Sequence, residues 1–219
     1  MTYHPPLEQR LGFYAWLRTS LPWRALLRRC VRLITRSRDE WAAVAYEPRQ
    51  VMKMMVPFAL IMSFLGPMTQ FWGTLYKMVF GPLSLSLSGV SYSLFLAVVG
   101  AVLNLLIVFT MAQIVQGVAL RHGRKLLEVQ AYQLGIYGLT AFWLAQGLSH
   151  LPLMGGAAIV VGTYSLYQLY TGTERLVEVD PADRRKVNLM VPGLALVFYM
   201  AILGVAELVV WLARAWPVS

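Results

Sequence analysis

The stretch FGPLSLSLSG, Phe80 to Gly89, decides how this chain folds. If it crosses a membrane, the sidedness of every later loop is inverted. If it is a loop, five crossings remain. It is short and Ser-rich, and Gly81-Pro82 and Gly89 punctuate it, which favours a turn over a span. Uncharged intervals lie around it: Met54–Tyr76, then Met78–Leu120, Val129–Thr173, and Val187–Ala206, the last continuing past Glu207 to Ala213. A helical crossing needs about 20 apolar residues. The intervals predict spans at about 54–74, 92–118, 131–149, 153–171 and 189–212, with HLPLMGG (His150–Gly156) as the turn that divides the third interval.

The basic residues test this count. Ten of the 19 Lys and Arg precede residue 54, three lie at 121–125 and four at 175–186, leaving only Lys77 and Arg214. Five spans put 17 on one side and 2 on the other, whereas a sixth span at 78–91 would split them 11 to 8. Lys and Arg concentrate in cytoplasmic loops. The expected fold is therefore an all-α, five-span bundle, N-terminus in the cytoplasm and C-terminus outside. Residues 1–50 form a cytoplasmic segment and 51–213 the membrane domain.

Composition agrees. Of 219 residues, 58% are hydrophobic and 13% charged, against the usual ~45–50% and ~25%. A soluble domain of this size could not bury that much apolar surface, and disorder requires the opposite bias. The net charge of +9 follows membrane sidedness, so nucleic-acid binding is not expected. Cys30 is the single cysteine, and His4, His122 and His150 are far apart. No metal or other cofactor is expected.

Residues 21–36, LPWRALLRRCVRLITR, have the pattern of a basic amphipathic helix. Trp23, Leu26, Leu27, Cys30, Val31, Leu33 and Ile34 share one arc, with Arg24, Arg28, Arg29, Arg32 and Arg36 opposite. Such a helix is expected in the membrane interface, its arginines facing anionic head groups. Ser37-Arg38-Asp39-Glu40 has capping-box spacing for a second short helix. Trp41 on that helix suits the head-group level.

Several further stretches resemble one family. Asp39-Glu40-Trp41 through Glu47-Pro48 leads into the first span. YGLTAFWLAQGL (Tyr137–Leu148) and GTYSLYQLYTG (Gly162–Gly172) follow, then Asp180-Pro181-Ala182-Asp183 before the last span. Together, over roughly residues 37–212, they resemble the Yip1 family of multi-span membrane proteins in its bacterial form. The resemblance implies a five-helix bundle in a bacterial inner membrane, and it supplies no catalytic residues to carry over. Its eukaryotic members act in vesicle traffic with small Rab-type GTPases, machinery that bacteria lack. Ala141 stands where members commonly have Pro, and Gln168 where they commonly have Leu. The missing Pro predicts an unkinked third span.

Polar residues inside spans are costly and tend to face protein or water. Asn104, Gln113 and Gln116 lie in the second span. Gln133, Tyr137 and Thr140 share a face of the third, and Tyr164, Tyr167, Gln168 and Thr171 a face of the fourth. These predict a polar patch in the cytoplasmic half of the bundle. Glu207 is the one acidic residue within a span. No convergent acid, base, nucleophile or metal cluster appears, so an enzyme is not expected. The leading expectation is a non-enzymatic membrane-organising or interaction protein. Its partners would be anionic lipids and a protein or a second copy of the chain. The alternative is a small oligomeric transporter or channel for a polar solute, ion or proton.

Overall fold

The computed structural model describes residues 22–46, 52–81, 86–123 and 126–215; the side chains of 22, 23, 25, 52–54 and 203–215 fall outside that description. Every regular element among the described residues is a helix. In chain order they are α1 (Pro22–Thr35), α2 (Ser37–Ala45), α3 (Met52–Phe80), α4 (Leu87–Arg121), α5 (Glu128–Gly138), α6 (Thr140–Ser149), α7 (Gly155–Leu176) and α8 (Pro181–Ala215). Three are long and apolar enough to cross a membrane, over Met55–Phe80, Leu87–Arg121 and Pro181–Ile202. Helices α5 and α6 are each too short to do so alone, with 11 and 10 residues. Helix α7 has the length, at 22 residues, but carries Thr163, Tyr164, Ser165, Gln168 and Thr171.

Helix α3 packs along α4 and α6, α4 along α5 and α8, and α7 along α6, α5 and α8. The two N-terminal helices sit against this bundle, α2 on α7 and α1 on α6. Trp41, Trp143, Tyr137, Phe58 and Leu33 are the largest fully buried side chains, so the core reaches into the N-terminal helices. Small residues set the approach. A Cβ on Gly172 would stand 2.7 Å from the Trp41 ring and also meet Leu134. Glycine there lets the Trp41 indole pack against α7.

The Ser-rich stretch joins two helices: α3 continues to Phe80, and α4 begins at Leu87, earlier than the expected span start at 92. Ser86 caps α4 by accepting the Gly89 N–H at 3.1 Å, the usual role of serine at a helix start. Ser91 and Ser93 donate to the carbonyls of Leu87 and Gly89 four residues back, so their hydroxyls fit within a helix.

Two expectations are corrected. The capping box at Ser37–Glu40 does not form. The N-cap of α2 is Arg36, without a side-chain cap. Ser37 and Glu40 are buried and turn to tertiary partners instead. Finally, the third span is interrupted although it lacks proline. Helix α5 stops at Gly138, α6 starts at Thr140, and Leu139 between them has φ −89° and ψ 2°.

Candidate functional site

Two helix ends meet beside α7, and their unmet backbone groups organise the site. The last carbonyls of a helix have no intrahelical donor. At the end of α1, Leu33 C=O accepts from Gln168 Nε2 at 3.0 Å and Ile34 C=O accepts from Tyr164 Oη at 2.9 Å. At the start of α6 the problem is reversed, because first-turn N–H groups lack acceptors. Gln168 Oε1 accepts the Ala141 N–H at 3.1 Å. One fully buried glutamine thus caps α1 and bridges the break in the third span. The two departures from the family pattern are physically coupled. Proline at 141 would have no N–H to satisfy, and leucine at 168 could not satisfy one.

Next to this cap lies a buried charge. Arg29 is on the same face of α1 as Leu26, Cys30 and Leu33, all buried. Its Nε donates to Glu40 Oε1 at 3.2 Å, and its Nη1 donates to Tyr137 Oη at 3.0 Å. The guanidinium carbon also sits 4.6 Å from the Tyr137 ring centroid. Phe58 and Trp41 pack edge-on to that ring. A buried guanidinium needs a counter-charge and filled donor positions, which Glu40 and Tyr137 provide from α2 and α5. Ser37 Oγ and Thr171 Oγ1, 3.1 Å apart, close the seam between α2 and α7.

A second polar cluster lies apart from the first. Pro67 has no N–H, so the Ser63 carbonyl one turn back in α3 loses its helical donor. Asn104 Nδ2 donates to that carbonyl at 2.8 Å and to Gln146 Oε1 at 2.9 Å, while Gln146 Nε2 donates back to Asn104 Oδ1 at 3.2 Å. A Cβ on Gly66 would stand 2.6 Å from Gln146 Cβ, so glycine is what admits α6 there.

The expected patch is therefore divided. Tyr137, Tyr164 and Gln168 join the N-terminal helices, together with Thr171. Asn104 belongs to the second cluster. Gln133 is buried, Gln116 half-buried, and Gln113 and Tyr167 are exposed on the bundle surface. The side chains of Glu207 and Trp23 lie outside the described residues. Of the expected surface group, Arg24, Arg28, Arg32 and Arg36 are exposed, but Arg29 and Trp41 are buried against the bundle. The apolar arc of α1 is split likewise. Leu26, Cys30 and Leu33 face protein, while Leu27 and Val31 are 55% and 56% exposed.

Sequence reasoning missed Glu40, Ser37 and Gln146 as site residues. Gln146 carried the same signal as Gln133, an amide inside an uncharged interval. Glu40 and Ser37 were masked by a local capping reading. Among the described residues no group of His, Cys, Asp or Glu is placed to hold a metal ion.

The profile of the Yip1 domain matches residues 31–204. No curated protein matches the chain. Nor does any solved structure.

Proposed function

The chain belongs to the Yip1 domain family, and on that premise we propose that it is a non-enzymatic membrane-organising protein that presents its N-terminal helices to a partner. In this reading the bundle crosses the bacterial inner membrane five times, α5–α6 and α7 supplying the two crossings beyond the three longest helices. The N-terminus is cytoplasmic and the C-terminus extracytoplasmic, as the distribution of Lys and Arg favours. The observation that carries the reading is the seam between α1–α2 and the bundle. Arg29, Glu40, Tyr137, Tyr164, Gln168 and Ser37 direct their polar groups at one another or at helix ends. That holds α1 rigidly, with Arg28, Arg32, Leu27 and Val31 on its outer face. Paired apolar residues between arginines suit a head-group layer, each arginine contributing about 1 kcal/mol near an anionic surface.

The test is crosslinking in intact cells from a photoreactive residue at position 28 or 32 of the full chain. One partner should be recovered, and Arg29→Glu, which breaks the seam, should abolish its capture. Recovery of only lipid and abundant bystanders overturns the reading. So does solute or proton flux above that of empty liposomes from the purified protein, which would favour the small oligomeric transporter.

A further inference from the structure

Helices α4, α6, α7 and α8 line a partly open cavity of about 380 Å³. It lies on the opposite side of Gln168 from the N-terminal seam in chain terms, running along α7 from Gly155 to Leu169. None of the polar-patch residues whose side chains are described lines it. Its size falls within the ~300–1,000 Å³ typical of ligand sites. The space exists because α7 presents Gly155, Ala158 and Gly162 where larger side chains would fill it. Phe142 and Tyr199, in edge-on contact at 4.8 Å, form part of its wall.

The wall offers no vacant polar group on α6 or α7. Gln146 is held by Asn104, and Ser149, Thr163 and Ser165 donate to the carbonyls of Gln146, Ile159 and Gly162 in their own helices. Bound water needs two to four polar partners, and a polar solute needs at least as many. Tyr199 on α8 adds a single hydroxyl to the wall, fewer than either needs, so the occupant is predominantly apolar. Its length is set by the 15 residues from Gly155 to Leu169, whose helical rise spans about 21 Å. One leaflet of a bilayer has an acyl layer of about 15 Å, half the hydrocarbon core.

We propose that this cavity holds one acyl chain of a membrane phospholipid, with the head group at the His150–Gly155 turn. The inference rests on the reading of the bundle as membrane-embedded. The full-length protein, purified in mild detergent, should retain a stoichiometric phospholipid in native mass spectra and in organic extracts. Ala158→Phe fills the cavity and should reduce retention to the detergent blank. Val160→Phe, on the exposed side of α7 outside the cavity, should leave retention unchanged.

Helicity by circular dichroism confirms that each variant is folded; if Ala158→Phe fails that check, Gly162→Leu takes its place. Absence of lipid from the parent, or equal retention in the two variants, overturns the proposal. So does a dimer that the parent forms and the filled variant loses. Alkaline extraction of membranes separates the two failures. Release of the chain there refutes the membrane reading itself, whereas a chain that stays in the membrane yet holds no lipid refutes only the acyl-chain site.

Discussion

Removing the Glu40 carboxylate tests the seam most directly. In Glu40→Ala the guanidinium of Arg29 stays buried without its counter-charge. Both side chains are only 10% exposed. Removing one partner of a buried pair costs about 3–5 kcal/mol. Arg29 keeps the Tyr137 hydroxyl and ring, so the lower end applies, about 3 kcal/mol, or roughly 150-fold in the docking equilibrium of α1. Cys30 is a built-in reporter, since it is the single cysteine and buried beside Arg29 in the docked state. Its maleimide labelling rate in detergent should rise by about that factor, up to the rate of an open thiol. The pair Arg29→Met with Glu40→Leu removes both charges and should restore slow labelling, with the loss of the Tyr137 hydrogen bond costing about 1 kcal/mol. The reasoning fails if Glu40→Ala labels like the parent, or if the double variant labels as fast as the single one.

Other outcomes follow from the same geometry. Gln168→Leu strands the Ala141 N–H and the Leu33 carbonyl at about 1–3 kcal/mol each, and adding Ala141→Pro should recover the first part; thermal unfolding of the four chains in detergent checks the cycle. Gly172→Ala drives a methyl into the Trp41 ring and should cost about 1–3 kcal/mol, read as a lower unfolding midpoint, with Gly193→Ala, which meets nothing within 4 Å, as the comparison. Burial pushes the Cys30 thiol up to about 11. Labelling of the folded chain should therefore climb tenfold per pH unit beyond the ~8.5 at which an ordinary thiol levels off, and a plateau by pH 9 would contradict it. The same shift favours the protonated thiol in the folded state. Its contribution to stability is complete below pH ~8.5 and is lost as pH rises from there to about 11.

The long apolar helices were legible because a charge-free interval is a one-dimensional signal. The bilayer imposes it on each residue separately. The polar sites were only half legible. Helical spacing put Tyr137 with Gln133, and Gln168 with Tyr164, on common faces, but spacing does not say which neighbour a face meets. Ser37 and Glu40 show the harder limit. Their spacing fits a local cap equally well, and only the arrival of Arg29 and Thr171 decides between the two uses. The break at Leu139 left no local mark either. What stabilises it is an acceptor 27 residues later in the chain.

The caps of α1 have a consequence in time. Leu33 waits for Gln168, 135 residues downstream, and Arg29 for Tyr137, 108 residues downstream. At a synthesis rate of about 5–20 residues per second, helix α1 is complete for several seconds, up to roughly half a minute, before its proper terminus exists. During that interval a chain emerging with an apolar arc and a row of arginines has one ready resting place, the charged surface of the membrane it is entering. On the membrane reading proposed above, the interfacial helix suggested by the sequence alone would describe a stage in biogenesis, and the docked helix with Arg29 drawn inside its end.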